Sequence, residues 1–63
     1  MTLSPQQTEV LRCAARGMCR KRTADIMGIA LPTVKCHLAA ARNKMSARTT
    51  TQAVTAALMR GLI

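Results

Sequence analysis

The sequence predicts an all-α fold of four short helices, and three observations predict it. Apolar residues recur at helical spacing: Val10, Leu11 and Ala14 in the first stretch, Val34, Leu38, Ala41 and Met45 in the third, and Val54, Ala57 and Leu58 in the last. Helix start and stop signals bracket the stretches, with Ser4-Pro5, Pro32 and Thr49 at beginnings and Gly17, Gly28 and Gly61 at ends. Nowhere do apolar and polar residues alternate as in a strand, and no internal repeat or linker interrupts the pattern.

The first helix starts where Ser4 can cap, Pro5 suits the first helical position and Gln7 completes a capping box. It runs to about Arg16 and stops at Gly17. Cys13 sits on the edge of its apolar stripe and reads as a small buried hydrophobe rather than a reactive thiol. The second helix spans about Arg20 to Met27 and ends at Gly28. It opens on Arg20-Lys21-Arg22, and such cations oppose the helix dipole by a few tenths of a kcal/mol each. A bound phosphate would relieve that strain. Cys19 stands in the capping position, where Ser or Thr serves better, so this cap should be weak.

Gly28-Ile29-Ala30-Leu31 is a connection of helix-turn-helix length, with Ile29 expected as an apolar plug beneath it. Pro32 belongs within the first turn of the next helix, which therefore starts near Leu31, behind a poor cap at Ala30. Ser46-Ala47-Arg48 is a short break. Thr49 and Gln52 then form a second capping-box pattern, and Leu62 and Ile63 should fold back on the core. Ala53, Ala56 and Arg60 are expected on the outer side of the fourth helix, as a flat surface suited to another helix.

The third helix organises the chain. With Val34 at the zero of a helical wheel, at about 100° per residue, Leu38, Ala41 and Met45 share its arc. The opposite side carries Cys36, Ala39, Ala40 and Asn43, flanked by Lys35 and Arg42 on one margin and by His37 and Lys44 on the other. A face slim at its centre and cationic at its margins suits the major groove of B-DNA, which admits a helix between phosphate rims.

Composition bounds the partner. Ten Lys and Arg stand against only Glu9 and Asp25, a net charge of +8, and the pI is about 11.3. A surplus of that size implies a polyanion, and nucleic acid or anionic lipid would both satisfy it. The absence of Phe, Tyr and Trp argues against modules that stack unpaired bases on aromatic rings, and it weakens an interfacial membrane helix. There is no secretory segment or long apolar run. The odd count of cysteines, without Cys-x-x-Cys spacing, fits a reduced, cytoplasmic setting. Cys19, Cys36 and His37 match no structural zinc pattern, and two carboxylates with one His assemble no catalytic set. No enzyme activity, metal or cofactor is expected.

A chain of 63 residues makes one small domain, and such a chain buries only about 60% of its unfolded surface. Marginal stability follows, and dimerisation is the simplest way to add to it.

Leu3-Ser4-Pro5, Glu9-Val10-Leu11, Gly17-Met18, Met27-Gly28-Ile29, Thr33-Val34-Lys35-Cys36-His37, Arg42-Asn43-Lys44-Met45 and Arg60-Gly61-Leu62-Ile63 together resemble the LuxR-type (GerE-like, NarL/FixJ-type) helix-turn-helix domain over practically the whole of residues 1–63. The resemblance implies a four-helix transcription-regulator domain. Its helix-turn-helix would occupy about residues 20–45, and its fourth helix, about 50–60, would pair with a twin. It further implies base contacts from Lys35, Cys36 and Ala39, and phosphate contacts from Arg20, Lys21, Thr33, Arg42 and Lys44. Asn43, on the same free face, joins the expected base readers.

The chain departs from the pattern at Cys19 and Ala30, where Ser or Thr is usual, at Arg22, where an acid is usual, at Thr23, where a larger aliphatic is usual, and at Ala39, where a longer polar residue is common. Missing caps imply lower stability, and small base-facing residues imply loose specificity. The reading reached is a regulator of transcription that binds double-stranded DNA as a homodimer, with another regulator or RNA polymerase as a further partner. An alternative is a small protein-interaction module that titrates another regulator through its fourth helix. The sequence is compatible with a free-standing chain beginning at Met1 and with a domain of a longer regulator.

Overall fold

A computed structural model describes residues 2–63, and Met1 lies outside the described residues. The chain folds into α1 (Pro5–Ala15), α2 (Arg20–Met27), α3 (Leu31–Lys44) and α4 (Thr50–Met59), with no strand among the described residues. The expected all-α, four-helix architecture is therefore the observed one. α1 and α3 form the centre, each packing against the other three helices, and α2 and α4 do not meet.

The core is built from Val10 and Leu11 of α1, Ala24 of α2, Val34, Leu38 and Ala41 of α3, Met45 just beyond it, and Ala53 and Ala57 of α4. The stripe expected of α3 is buried throughout. Leu3, Ile29, Leu62 and Ile63 pack against this core from its edges, so the plug beneath the turn and the folded-back C-terminus are both present. Cys13 is buried rather than at an edge, and Ala14 is half-buried.

α4 requires a correction. Ala53 was expected on its outer surface and Leu58 on its inner stripe, yet Ala53 is 0% and Leu58 55% exposed. The helix turns Ala53 and Ala57 inward because two methyl-sized side chains let its backbone come close to α1 and α3. A Leu at the centre of that contact would hold the helices apart. Ala53 thus belongs to the core, not to any outer surface.

Local chemistry explains most boundaries. Ser4 Oγ accepts the Gln7 N–H at 3.2 Å and Gln7 Oε1 accepts the Ser4 N–H at 3.0 Å, a complete capping box with Pro5 behind it. Thr49 Oγ1 accepts the Gln52 N–H at 3.1 Å. Gln52 Oε1, however, takes the N–H of Arg48 at 2.9 Å, so this second box is offset by one residue. Cys19 Sγ accepts the Arg22 N–H at 3.4 Å, and Ala30 supplies no side-chain cap. At the C-terminal ends, Gly17, Gly28 and Gly61 adopt positive φ. α3 ends the same way without a glycine: Ser46 has φ 53°.

Candidate nucleic-acid interface

Burying the α3 stripe determines what its opposite face presents. Thr33, Lys35, Cys36 and Asn43 are exposed, and Ala39 and Ala40 are half-buried beside them. The middle of this face therefore carries no charge and no long side chain. Arg42 and His37 lie half-buried on the margins, Arg42 within the basic last turn of the helix. Among the described residues neither Lys35 nor Arg42 has a carboxylate within ion-pair distance.

Lys44 behaves differently from the other cations. Its Nζ donates to the Thr2 carbonyl at 3.1 Å, tying the segment ahead of α1 to the last turn of α3. Sequence spacing gave no signal for this bond, since the two residues are far apart in the chain and the acceptor is backbone.

The second cationic cluster is the first turn of α2. Arg20, Lys21 and Arg22 are all exposed, and no acidic residue accompanies them. The thiol that caps Arg22 is a weak acceptor, so this helix end has little internal compensation for its dipole. Backbone N–H groups at a helix start, with three cations beside them, attract an anion such as a phosphate. Because α2 packs directly on α3, the two cationic sets belong to one helix-turn-helix unit.

Elsewhere the charge is less concentrated. The Glu9 carboxylate lies 3.8 Å from the Arg12 guanidinium on α1, the one ion pair among the described residues. It is largely exposed and contributes little to stability. Among the described residues no group of three His, Cys, Asp or Glu side chains is placed to hold a metal ion. A shallow depression of about 350 Å³ lies between Ala14, Gly17, Met18, Cys19, Arg20 and Thr50, with no convergent set of polar groups. No helix among the described residues is long and apolar enough to cross a membrane.

The outer side of α4 has a different composition from the one expected. Arg60 is exposed, whereas Ala56 is half-buried against the core and only partly on that side. Leu58 at 55% and Met59 at 84% exposure stand out instead. Neither follows from the apolar spacing, which puts Leu58 on an inner stripe and leaves Met59 unplaced. The clue available was the Ala53–Ala57 spacing of four, which marks an alternative inner line.

Residues 1–57 match the family described as "Bacterial regulatory proteins, luxR family". The chain is also similar to the "Transcriptional regulatory protein YdfI" of Bacillus subtilis (strain 168), at 34% identity over 61 residues. That alignment takes in 97% of this chain but 29% of the relative, so the chain spans less than a third of the relative's length.

Proposed function

This chain belongs to the luxR family of bacterial regulatory proteins, and from that premise we propose that it binds double-stranded DNA to regulate transcription, with α3 in the major groove. The observation that carries this reading is the exposed arc of α3, uncharged along its middle and bordered by Lys35 and Arg42. Arg20 and Lys21 at the start of α2, Thr33 at the start of α3, and Arg42 and Lys44 along it serve as phosphate contacts that fix register. Lys35, Cys36, Ala39 and Asn43 face base edges. The setting is cytoplasmic, and the role is one of binding rather than catalysis.

Duplex binding titrated against salt tests the reading. A steep linear fall of log affinity with log salt is expected, and Arg20→Ala, Lys21→Ala or Arg42→Ala should each reduce the slope by about one. Binding that ignores salt, or no binding, overturns it.

A protein partner for α4 has its own support in the exposure of Leu58 and Met59. The occupant we favour is a second copy of the chain, so that two α3 helices address half-sites about one helical turn apart. Another regulator or RNA polymerase is the rival occupant of that face. Leu58→Glu and Met59→Glu should each shift the sedimenting species from dimer to monomer. An unchanged mass removes self-association through this face and leaves the rival.

A further inference from the structure

The exposed arc of α3 has few ways to address a base pair. Lys35 offers donors and no acceptor, and Asn43 offers both a donor pair and an acceptor. Between them Cys36, Ala39 and Ala40 offer no strong donor or acceptor at all. Lys35 and Asn43 are eight residues apart, which at 1.5 Å per residue is about 12 Å of helix axis. That is the rise of roughly three to four base pairs.

Each major-groove edge presents hydrogen-bonding groups except at one feature, the C5-methyl of thymine. Pressing Ala39 or Ala40 against a carbonyl or amino group would strip water from it and return nothing. Pressing the same side chains against a methyl removes apolar surface from water on both partners. Their shortness also lets the helix come close enough for that contact. At the ends, a lysine ammonium suits the guanine O6 and N7 acceptors, and an asparagine amide suits the adenine N6 and N7 pair.

We infer that α3 selects its half-site by a pyrimidine 5-methyl group held against Cys36, Ala39 and Ala40, between a guanine at Lys35 and an adenine at Asn43. This rests on the groove reading proposed above. The methyl can come from thymine or from 5-methylcytosine, which present the same group at the same place in the groove. Methylation of a cytosine at such a position therefore strengthens binding.

The test begins with selection of duplexes from a random pool by the full chain, at fixed salt. Each pyrimidine of the selected half-site is then supplied as thymine, deoxyuridine, cytosine or 5-methylcytosine. At one or two positions deoxyuridine should weaken binding about fourfold for each methyl lost, and 5-methylcytosine should recover the same factor over cytosine. Recovery identifies the methyl alone as the ligand, whereas loss with deoxyuridine and no recovery confines the contact to thymine and overturns the strengthening by cytosine methylation.

Cys36→Ser and Ala39→Ser should flatten the difference between thymine and deoxyuridine, with thermal unfolding of each variant recorded beside it. Lys35→Ala and Asn43→Ala should each relax one position about tenfold, and the two positions should lie three to four base pairs apart. Salt-dependent binding in which thymine and deoxyuridine are equivalent everywhere overturns the inference and leaves the groove reading intact. So does a methyl effect indifferent to both serine variants. Failure to bind any duplex at any salt removes the groove reading, and the base assignment falls with it.

Discussion

Ser46 holds the end of α3 in a conformation that the other three helices give to glycine. Its N–H donates to the Asn43 carbonyl at 3.1 Å, and the Ala47 N–H donates to the Arg42 carbonyl at 2.9 Å. The same pair of bonds closes α1 at Gly17, where the donors are Gly17 to Ala14 at 3.0 Å and Met18 to Cys13 at 3.1 Å. This motif requires a left-handed residue just past the helix, and a residue with a Cβ is strained there. Ser46→Gly should therefore stabilise the domain by about 0.5–1 kcal/mol. For a domain of this size that corresponds to a rise in Tm of several degrees. A thermal melt of the two chains at equal concentration decides it, and an unchanged or lower Tm would show that the serine is not strained.

Cap chemistry separates the elements from one another. α1 has a complete box and α4 a capping hydroxyl, whereas α2 has a sulfur and α3 has no side-chain cap. The two weak starts both belong to the helix-turn-helix. Ala30→Ser should add about 1 kcal/mol by giving α3 an acceptor for an N–H of its first turn. Slower amide exchange at Thr33 and Val34 would report it, since Pro32 has no N–H, and unchanged exchange would mean that the hydroxyl does not reach.

These starts and stops were legible because they depend on neighbours in sequence: Ser4 with Gln7, Gly28 before Pro32, Thr49 with Gln52. What escaped depends on neighbours in space. Which side of α4 goes inward is decided by how closely its backbone approaches α1 and α3, and that favours Ala53 and Ala57 over the more hydrophobic Leu58. Ala53→Leu accordingly should destabilise by about 1–3 kcal/mol through overpacking. Were Ala53→Leu to unfold no more readily than the parent in urea, the close approach would be ruled out. Of the candidate interface, the arc of α3 followed directly from the helical wheel, since the same residues that make the core define its opposite side. The wheel also put Lys44 on a margin of that arc, but not its bond to the Thr2 carbonyl, which is a product of the fold.

The whole molecule carries its charge asymmetrically in number: ten Lys and Arg against two acids, packed into a domain with a radius of gyration of 10.3 Å. At 0.1 M salt the Debye length is also about 10 Å, so at lower salt nearly every cation feels every other. Folding then concentrates like charge, and self-repulsion opposes the compact state. Added sodium chloride should raise the Tm of the free domain between about 10 and 200 mM, the range over which screening changes most. The same salt should weaken duplex binding, because salt cations and the protein's cations compete for one set of phosphates. A short duplex at low salt should do what the salt does and more, raising the Tm by mass action on the folded state. The discriminating measurement is one set of melts, with and without duplex, across that salt range. The two curves should converge as salt rises, from the free domain gaining and the complex losing. Parallel curves would mean that the charges which repel one another in the free fold are not those that hold the duplex.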